Sequence, residues 1–446
     1  MVRHPDTPLN GRPAGPRQPS RWWRGWVTAK RWALTPLPAP PAALRRGPMR
    51  PDAFRSPLRS TRLTSQLGVA LGAAFGVCLL TGVLSHLIQH PPGWFAWPSR
   101  PVGLYRVTQG VHVATGLASV PLLGVKLWSV YPRLFTWPPV RSIAHAAERA
   151  SVAVLVAAAL FQVVSGVLNT SRWYAPMPFF FTAGHYWVAW LAAGALLVHV
   201  GVQLPVVAGA LTRRGPEGRR AAEGRRAPEG RPGSVPRPSP EPSAAGLSRR
   251  GLLTATAAAA GVITVTTVGQ TLRPLSGLAV LAPRRPDTGP QRVPVNRTGD
   301  GAGVRAAALD PAYRLLVAGP GGQVSLDLAA LTALPQHTAE LPIACVEGWS
   351  ATATWTGVRL RDLVTLVGAD PDRSTVLVES LQAAGRYRAS TVPPQHTRDP
   401  LTLIALRVGG EPLHLDHGYP ARLIAPNRPG VLQTKWIGKI TVGAPR

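Results

Sequence analysis

The chain has 446 residues, 48 of them proline and 45 glycine, a formal net charge of +29 and only two cysteines. So many chain breakers exclude one continuous globular fold and leave room for two or three domains, while two lone thiols exclude a disulfide framework and a four-ligand structural zinc site. The charge would point to nucleic acid or anionic lipid if it covered a folded face, but it is gathered in two Pro-, Gly- and Arg-rich tracts, residues 1–62 and 212–250, so no nucleic-acid partner is expected.

Residues 1–62 read as a disordered basic tail. Four apolar stretches follow, at 67–90, 104–130, 147–169 and 185–211. Each can cross the ~30 Å hydrocarbon layer of a lipid bilayer, which predicts an N-terminal four-helix all-α transmembrane bundle over 63–211. The short connections carry few charges: Arg100 in the first, Arg133 and Arg141 in the second, Arg172 in the third. The positive-inside rule therefore puts both basic tracts in the cytoplasm. The second tract, 212–250, repeats RRGPEG, RRAAEG and RRAPEG and reads as a disordered linker. A fifth apolar stretch, 251–272, begins just after Arg249 and Arg250. With both ends of the bundle inside, it carries the rest of the chain to the extracytoplasmic side of the cell membrane. From about residue 304 the pattern changes to short β-like runs, YRLLVAG, TVLVESL and ARLIAP, with one amphipathic helical stretch at LRDLVTLVG. This predicts an α+β domain.

Six of the eleven histidines lie in or beside the four-helix unit: His86, His90, His112, His145, His185 and His199. Ionisable groups are costly there and mark function. His185 and His199 are 199 − 185 = 14 residues apart, about 21 Å of helix rise and close to one face. Topology brings His86, His112 and His185 towards the outer side, sets His199 deeper and puts His145 at the inner start of the third helix. His90, beside Pro91 and Pro92, reads as a loop residue. Such histidines can hold heme, line a proton path or bind quinone. Of the two thiols, Cys78 lies in an apolar helix and Cys345 in the run LPIACVEGWSATATW. On residue type alone Cys345 is either a buried bystander or a reactive thiolate.

The stretch PIACVEGWSATATWTGVRLRDLV, followed by EPLHLDHGYPARLIAPNRPGVLQTKWIGKITV, resembles the molybdenum-cofactor domain of the sulfite oxidase family over roughly residues 290–446. The resemblance implies a C-terminal α+β molybdopterin domain that binds Mo-molybdopterin, with Cys345 as the catalytic thiolate ligand to molybdenum. It further implies that His417 and Arg422 bind the pterin and its phosphate, that Lys435 flanked by Gln433 and Thr434 occupies another cofactor position, and that Asn296, Arg297 and Ser380 make additional cofactor contacts. Gly348 and Trp349 would shape the loop behind the thiolate, and Trp355 would pack.

Up to Arg446 there is no counterpart of the immunoglobulin-like domain of the animal enzymes, so the chain looks closer to bacterial exported enzymes similar to methionine sulfoxide reductase catalytic subunits. Sulfite oxidases carry an arginine shortly after the ligand cysteine, whereas VEGWSATATW has no basic residue, so sulfite is not the expected substrate. Arg386, Tyr387 and Arg388 are candidates for the pocket lining.

The segment LSRRGLLTATAAAAGVITV resembles a twin-arginine (Tat) export signal, implying the Tat machinery as a partner. The histidine pattern resembles diheme, cytochrome b561-like membrane proteins. It implies one or two hemes b, an outer one using His185 with His112 or His86 and an inner one using His199 with His145. Together these resemblances imply a membrane oxidoreductase that transfers an oxygen atom to or from a small molecule, exchanging electrons through heme with a quinone/quinol pool. The alternative is a cofactor-binding or interaction module without turnover, the bundle serving only as an anchor.

Overall fold

The computed structural model describes residues 58–212, 248–271, 273–285 and 287–443, with a few positions between 39 and 56. Most of the expected tail and the body of the expected linker lie outside these residues. Among the described residues five helices are long and apolar enough to cross a membrane: α1 (Thr61–Gln89), α2 (Leu104–Val130), α3 (Ile143–Thr170), α4 (Phe181–Thr212) and α5 (Arg249–Val268). Large apolar side chains such as Leu80, Trp187 and Leu197 stand exposed on their surfaces, as expected of helices whose solvent is hydrocarbon.

Local chemistry sets the helix ends. Ser60 caps α1 by accepting from the Leu63 amide, and Ser248 caps α5 by accepting from the Gly251 amide, which puts Arg249 and Arg250 in the first turn of α5. Helix α3 starts at Ile143, ahead of the apolar stretch that announces it. The Ser142 hydroxyl accepts from the His145 amide at 3.1 Å, and the alanines that follow extend the helix through polar positions.

The described residues up to Ser56 together with Val130–Ala153 form one compact unit, in which the Phe54 ring packs edge-on to Tyr131 at 4.8 Å and stacks on Phe135 at 5.2 Å. The rest of the chain is a second unit. Within it, Leu71, Leu123 and Ala159 knit α1, α2 and α3 together. Helix α5 covers α2 through Ile263 and Val268 against Val113 and Leu117, and the Thr264 hydroxyl donates to the Ala114 carbonyl at 3.4 Å. At 100° per residue this contact face of α2 lies opposite His112.

The C-terminal part is built on two sheets. The first has the order β2 (Gly322–Leu326), β1 (Leu315–Gly319), β10 (Ile437–Gly443), β5 (Thr375–Ser380) and β6 (Ala389–Val392). It is antiparallel except for β1 beside β10. The second has the order β3 (His337–Ala344), β4 (Ser350–Arg359), β7 (Leu403–Val408) and β8 (Glu411–Pro412), with β9 (Arg422–Ile424) also paired to β7. The expected helix is α6 (Leu360–Leu366), which follows directly on β4. Its Leu360, Leu363 and Val364 enter the main core with Val317, Val378, Ile404 and Ile440. A second core, with Leu341, Ile343, Trp349 and Trp355, contains Cys345.

This sheet domain meets one end of the bundle. The α1–α2 connection packs on it through Val102, the Asn169 amide at the end of α3 donates to the Val346 carbonyl at 3.0 Å, and the residues after α5 continue into it. Arg249 and Arg250 are at the opposite end of α5 from this meeting point. Leu341 is fully buried in the core that holds the thiol loop, so Leu341→Ala should cost about 2–5 kcal/mol. Thermal unfolding followed by intrinsic fluorescence should show a clear loss of stability, and an unchanged transition would contradict this packing.

Candidate functional site

The loop joining β3 to β4 carries Cys345. The Cys345 amide donates to the Trp349 carbonyl at 2.9 Å and the Gly348 amide to the Cys345 carbonyl at 3.0 Å, closing a tight turn. Gly348 takes φ +88°, and a Cβ there would meet Val113 of α2 at 3.1 Å; only glycine combines that backbone with that proximity. Cys345 is 2% exposed. Burial pushes its thiol well above the usual range and the Glu347 carboxylate adds to this, while Arg284 and Lys435 pull the other way. Such a thiol becomes a thiolate only when a metal takes the place of its proton.

On the same side lie the cations Arg422 and Lys435, with Asp416 beside the lysine. Arg422 is buried, donates from Nη1 to the His417 carbonyl at 3.0 Å and stands 5.1 Å above the Trp355 ring, but its Nε has no partner. Burial draws its pKa down to about 9. Lys435 donates to Asn296 Oδ1 (3.1 Å), the Arg297 carbonyl (2.6 Å) and the Asp416 carbonyl (2.9 Å); burial and the nearby Arg422 charge lower its pKa well below the lysine range. His417 donates from Nε2 to the Pro290 carbonyl at 2.6 Å, and burial brings its pKa down to about 4. The Gln433 side chain donates to the Arg428 carbonyl at 3.0 Å and leaves its buried Oε1 without a partner. The Thr434 and Ser390 hydroxyls share a hydrogen bond of 2.7 Å. The Ser380 hydroxyl accepts from both nitrogens of Gln382 at 3.2 Å.

Arg422 has no ion pair among the described residues, and an uncompensated buried guanidinium is expensive. A set of one thiol, one arginine, one lysine and an orphaned amide oxygen fits an anionic, hydrogen-bonding group such as a pterin phosphate. The structure thus gathers Asn296, Arg297, His417, Arg422 and Lys435 around one region, with Gln433 and Thr434 on the adjoining segment.

Glu347, two residues beyond the thiol, was not singled out by the sequence. It accepts from Arg284 Nε at 3.0 Å, Trp349 Nε1 at 2.8 Å and the Tyr174 hydroxyl at 3.5 Å, with Arg172 at 3.9 Å. A carboxylate so close to a ligand cysteine was the only available sign; its partners come from two distant connections.

Beneath the Cys345 loop, inside the bundle, lies a cavity of about 230 Å³ lined mainly by apolar residues together with His86, His112 and His185, and reaching Val346. This is far more than the ~10–15 Å³ that one ordered water needs. The His112 and His185 rings stand 6.2 Å apart, nearly perpendicular. His112 Nδ1 is 3.0 Å from the Cys78 carbonyl, and His185 Nδ1 is 3.1 Å from the Ser165 hydroxyl. Each Nε2 is left without a hydrogen bond among the described residues, the arrangement of an imidazole oriented from behind for a metal in front. Gly82 leaves His112 its place, since a Cβ there would stand 3.0 Å from the ring. His86 instead stacks on Tyr186 at 3.7 Å, and His90 closes α1 as its C-cap. His199 is not among the residues lining the cavity, and the ring of His145 accepts from the Arg141 amide at 3.2 Å.

Residues 303–445 match the oxidoreductase molybdopterin binding domain family. Rat mitochondrial sulfite oxidase is 32% identical over 162 residues, 30% of this chain and 30% of that protein. A protein of Azospira oryzae, named as a protein-methionine-sulfoxide reductase subunit, is 34% identical over 115 residues, 26% of this chain and 42% of that one. The sulfane dehydrogenase SoxCD of Paracoccus pantotrophus aligns over 30% of this chain and 40% of its own with 22% identity and a TM-score of 0.28. The chain therefore spans less than half the length of these relatives. Its C-terminal part thus matches an oxidoreductase molybdopterin binding domain and is similar to sulfite oxidase over that stretch, and apolar helices precede it.

Replacing Lys435 by Met should weaken retention of an anionic pterin by roughly 10- to 100-fold, since charge-assisted hydrogen bonds are worth about 1.5–3 kcal/mol. Molybdenum per chain, measured before and after extended gel filtration, reads this directly; retention equal to wild type would remove Lys435 from the site.

Proposed function

We propose that this protein is a multi-pass membrane oxidoreductase whose molybdopterin domain transfers oxygen atoms to or from a small molecule and whose helical bundle carries electrons between that domain and membrane quinone. The observation that carries the reading is the continuity from thiol to histidines: Val346, the residue after Cys345, lines the cavity that His112 and His185 enter. A mere anchor has no need of two oriented imidazoles beside an apolar void.

In this reading Cys345 holds molybdenum, while Arg422, Lys435, His417, Asn296 and Arg297 hold the pterin. That cofactor supplies two-electron oxygen-atom exchange, with molybdenum alternating between its VI and IV states. His112 and His185 are the residues that would hold a heme b, which supplies one-electron transfer. The cavity's apolar wall keeps water from both imidazoles, and the Cys78 carbonyl and Ser165 hydroxyl fix their orientation.

The chain's own charges narrow the substrate. No basic residue occurs between Val346 and Trp355, and Arg284, a cation near Cys345, is already engaged by Glu347. With Arg284 so engaged, residues 346–355 offer an anion such as sulfite no clamp of their own, which favours a neutral S-oxide or N-oxide. The positive-inside rule supports placing the sheet domain outside the cytoplasm, because Arg249 and Arg250 begin α5 at the end remote from it. The same pair supports export by the Tat machinery.

The test is metal and heme analysis of the detergent-purified full-length protein. About one molybdenum per chain, lost in Cys345→Ser, is expected, together with a dithionite-reducible b-type spectrum. His112→Ala and His185→Ala should each abolish that spectrum, whereas His199→Ala should leave it. Molybdenum without any b-type absorbance would reduce the bundle to an anchor, and no molybdenum from a cofactor-competent host would sink the enzymatic reading.

A further inference from the structure

Asn427 sits in the turn after β9 with φ +55° and is 2% exposed. All its polar groups are spent on the connection between α1 and α2. Its amide donates to the Val102 carbonyl at 3.1 Å, and its carbonyl accepts from Trp97 Nε1 at 2.8 Å. The side-chain Nδ2 donates to the Pro98 carbonyl at 2.7 Å, and Oδ1 accepts from the Tyr105 amide at 2.6 Å.

Tyr105 is the second residue of α2, where amides have no partner within their own helix. The residue just before the helix is Gly103, which has no side chain to serve as a cap. The cap is supplied instead by Asn427, 322 residues away. Seven residues past Tyr105 (112 − 105) comes His112, and the next residue, Val113, abuts Gly348 of the thiol loop. On the other side, Arg422 is five residues before Asn427 (427 − 422). One buried segment thus joins the cationic cofactor region to the end of the helix that presents an imidazole to the cavity. The neighbouring ion pair could not set this geometry as well: Arg100 meets Asp399 at 3.2 Å with its side chain 56% exposed, and exposed pairs hold geometry poorly.

We infer that Asn427 is a positioning residue, a helix cap given by the molybdopterin domain to α2 that fixes the distance between Cys345 and the His112–His185 pair, and thereby the electron path between them. This rests on the function proposed above and adds the residue that sets its geometry. Asparagine suits the position because it tolerates the left-handed backbone and carries both an acceptor and a donor. Glycine keeps the backbone but removes the cap. Aspartate keeps the backbone and the cap, and keeps a donor to Pro98 when its buried carboxyl is protonated, the form that burial favours.

The test compares wild type, Asn427→Gly and Asn427→Asp as full-length, cofactor-loaded protein in detergent. Molybdenum content and reduced b-type absorbance per chain are the measure of assembly. Hydrogen exchange of the amides at 105–108 reads the cap, and flash reduction by a photoexcited flavin, followed at the b-type band and the Mo(V) resonance, reads electron equilibration without any substrate. With both groups present, the glycine variant should exchange these amides roughly fivefold faster, as one lost cap allows. It should equilibrate electrons several-fold more slowly, since electron transfer slows steeply as donor and acceptor move apart. The aspartate variant should stay close to wild type in both, and it tests the inference alone if the glycine variant does not assemble. A wild-type rate in the glycine variant, or an aspartate variant that keeps its amides protected yet loses the rate, overturns the inference. A wild type without b-type absorbance overturns the functional reading itself, and this inference with it.

Discussion

Positive charge buried without a matching acid is the constraint around which the sheet domain is arranged. A guanidinium such as Arg422 is stable in an apolar interior only if something anionic or strongly polar meets it. The protein meets that demand in part with backbone carbonyls, from His417 to Arg422 and from Arg297 and Asp416 to Lys435. The remainder, Arg422 Nε and Gln433 Oε1, has no partner among the described residues, and in the function proposed above a phosphate-bearing pterin would meet it. Local stability and cofactor choice are therefore one problem: the same groups that would destabilise an empty core stabilise a filled one.

The negative charge beside the thiol is handled in the opposite way. Glu347 is saturated by Arg284, Trp349 and Tyr174, so it draws the α3–α4 connection and the segment after α5 onto the thiol loop. Bundle and sheet domain are not two modules joined by a tether. Val346, Gly348 and Asn427 each touch bundle residues directly, and the cavity with the two imidazoles ends at the loop that carries the thiol.

Much of this was legible in the sequence because it is written locally. Twenty or more apolar residues in a row leave no choice but a helix long enough to cross a bilayer, so the five apolar helices of the described residues could be placed, although α1, α3 and α4 begin four to six residues ahead of their apolar stretches and α5 ends four residues before its own. The β-runs were equally local, and the two motifs around Cys345 and Arg422 carried the family. What could not be read was pairing at a distance. Glu347 with Arg284, and Asn427 with Tyr105, join segments whose proximity exists only after both domains have docked. The histidines show the limit from the other side. A fourteen-residue spacing puts His185 and His199 on one face of α4, but a shared face does not make a shared cavity: His185 lines it beside His112, and His199 does not. Periodicity specifies direction, and only packing specifies where a void lies.

Helix α5 packs on α2 through Ile263 and Val268, although in sequence it is separated from α4 by the Arg-rich stretch 213–247. The fifth helix is thus a covalently leashed partner of the first four. Covalent continuity makes its contact with α2 an intramolecular one. Sever the connection and the same contact becomes an ordinary two-body equilibrium, with occupancy set by how many copies are made.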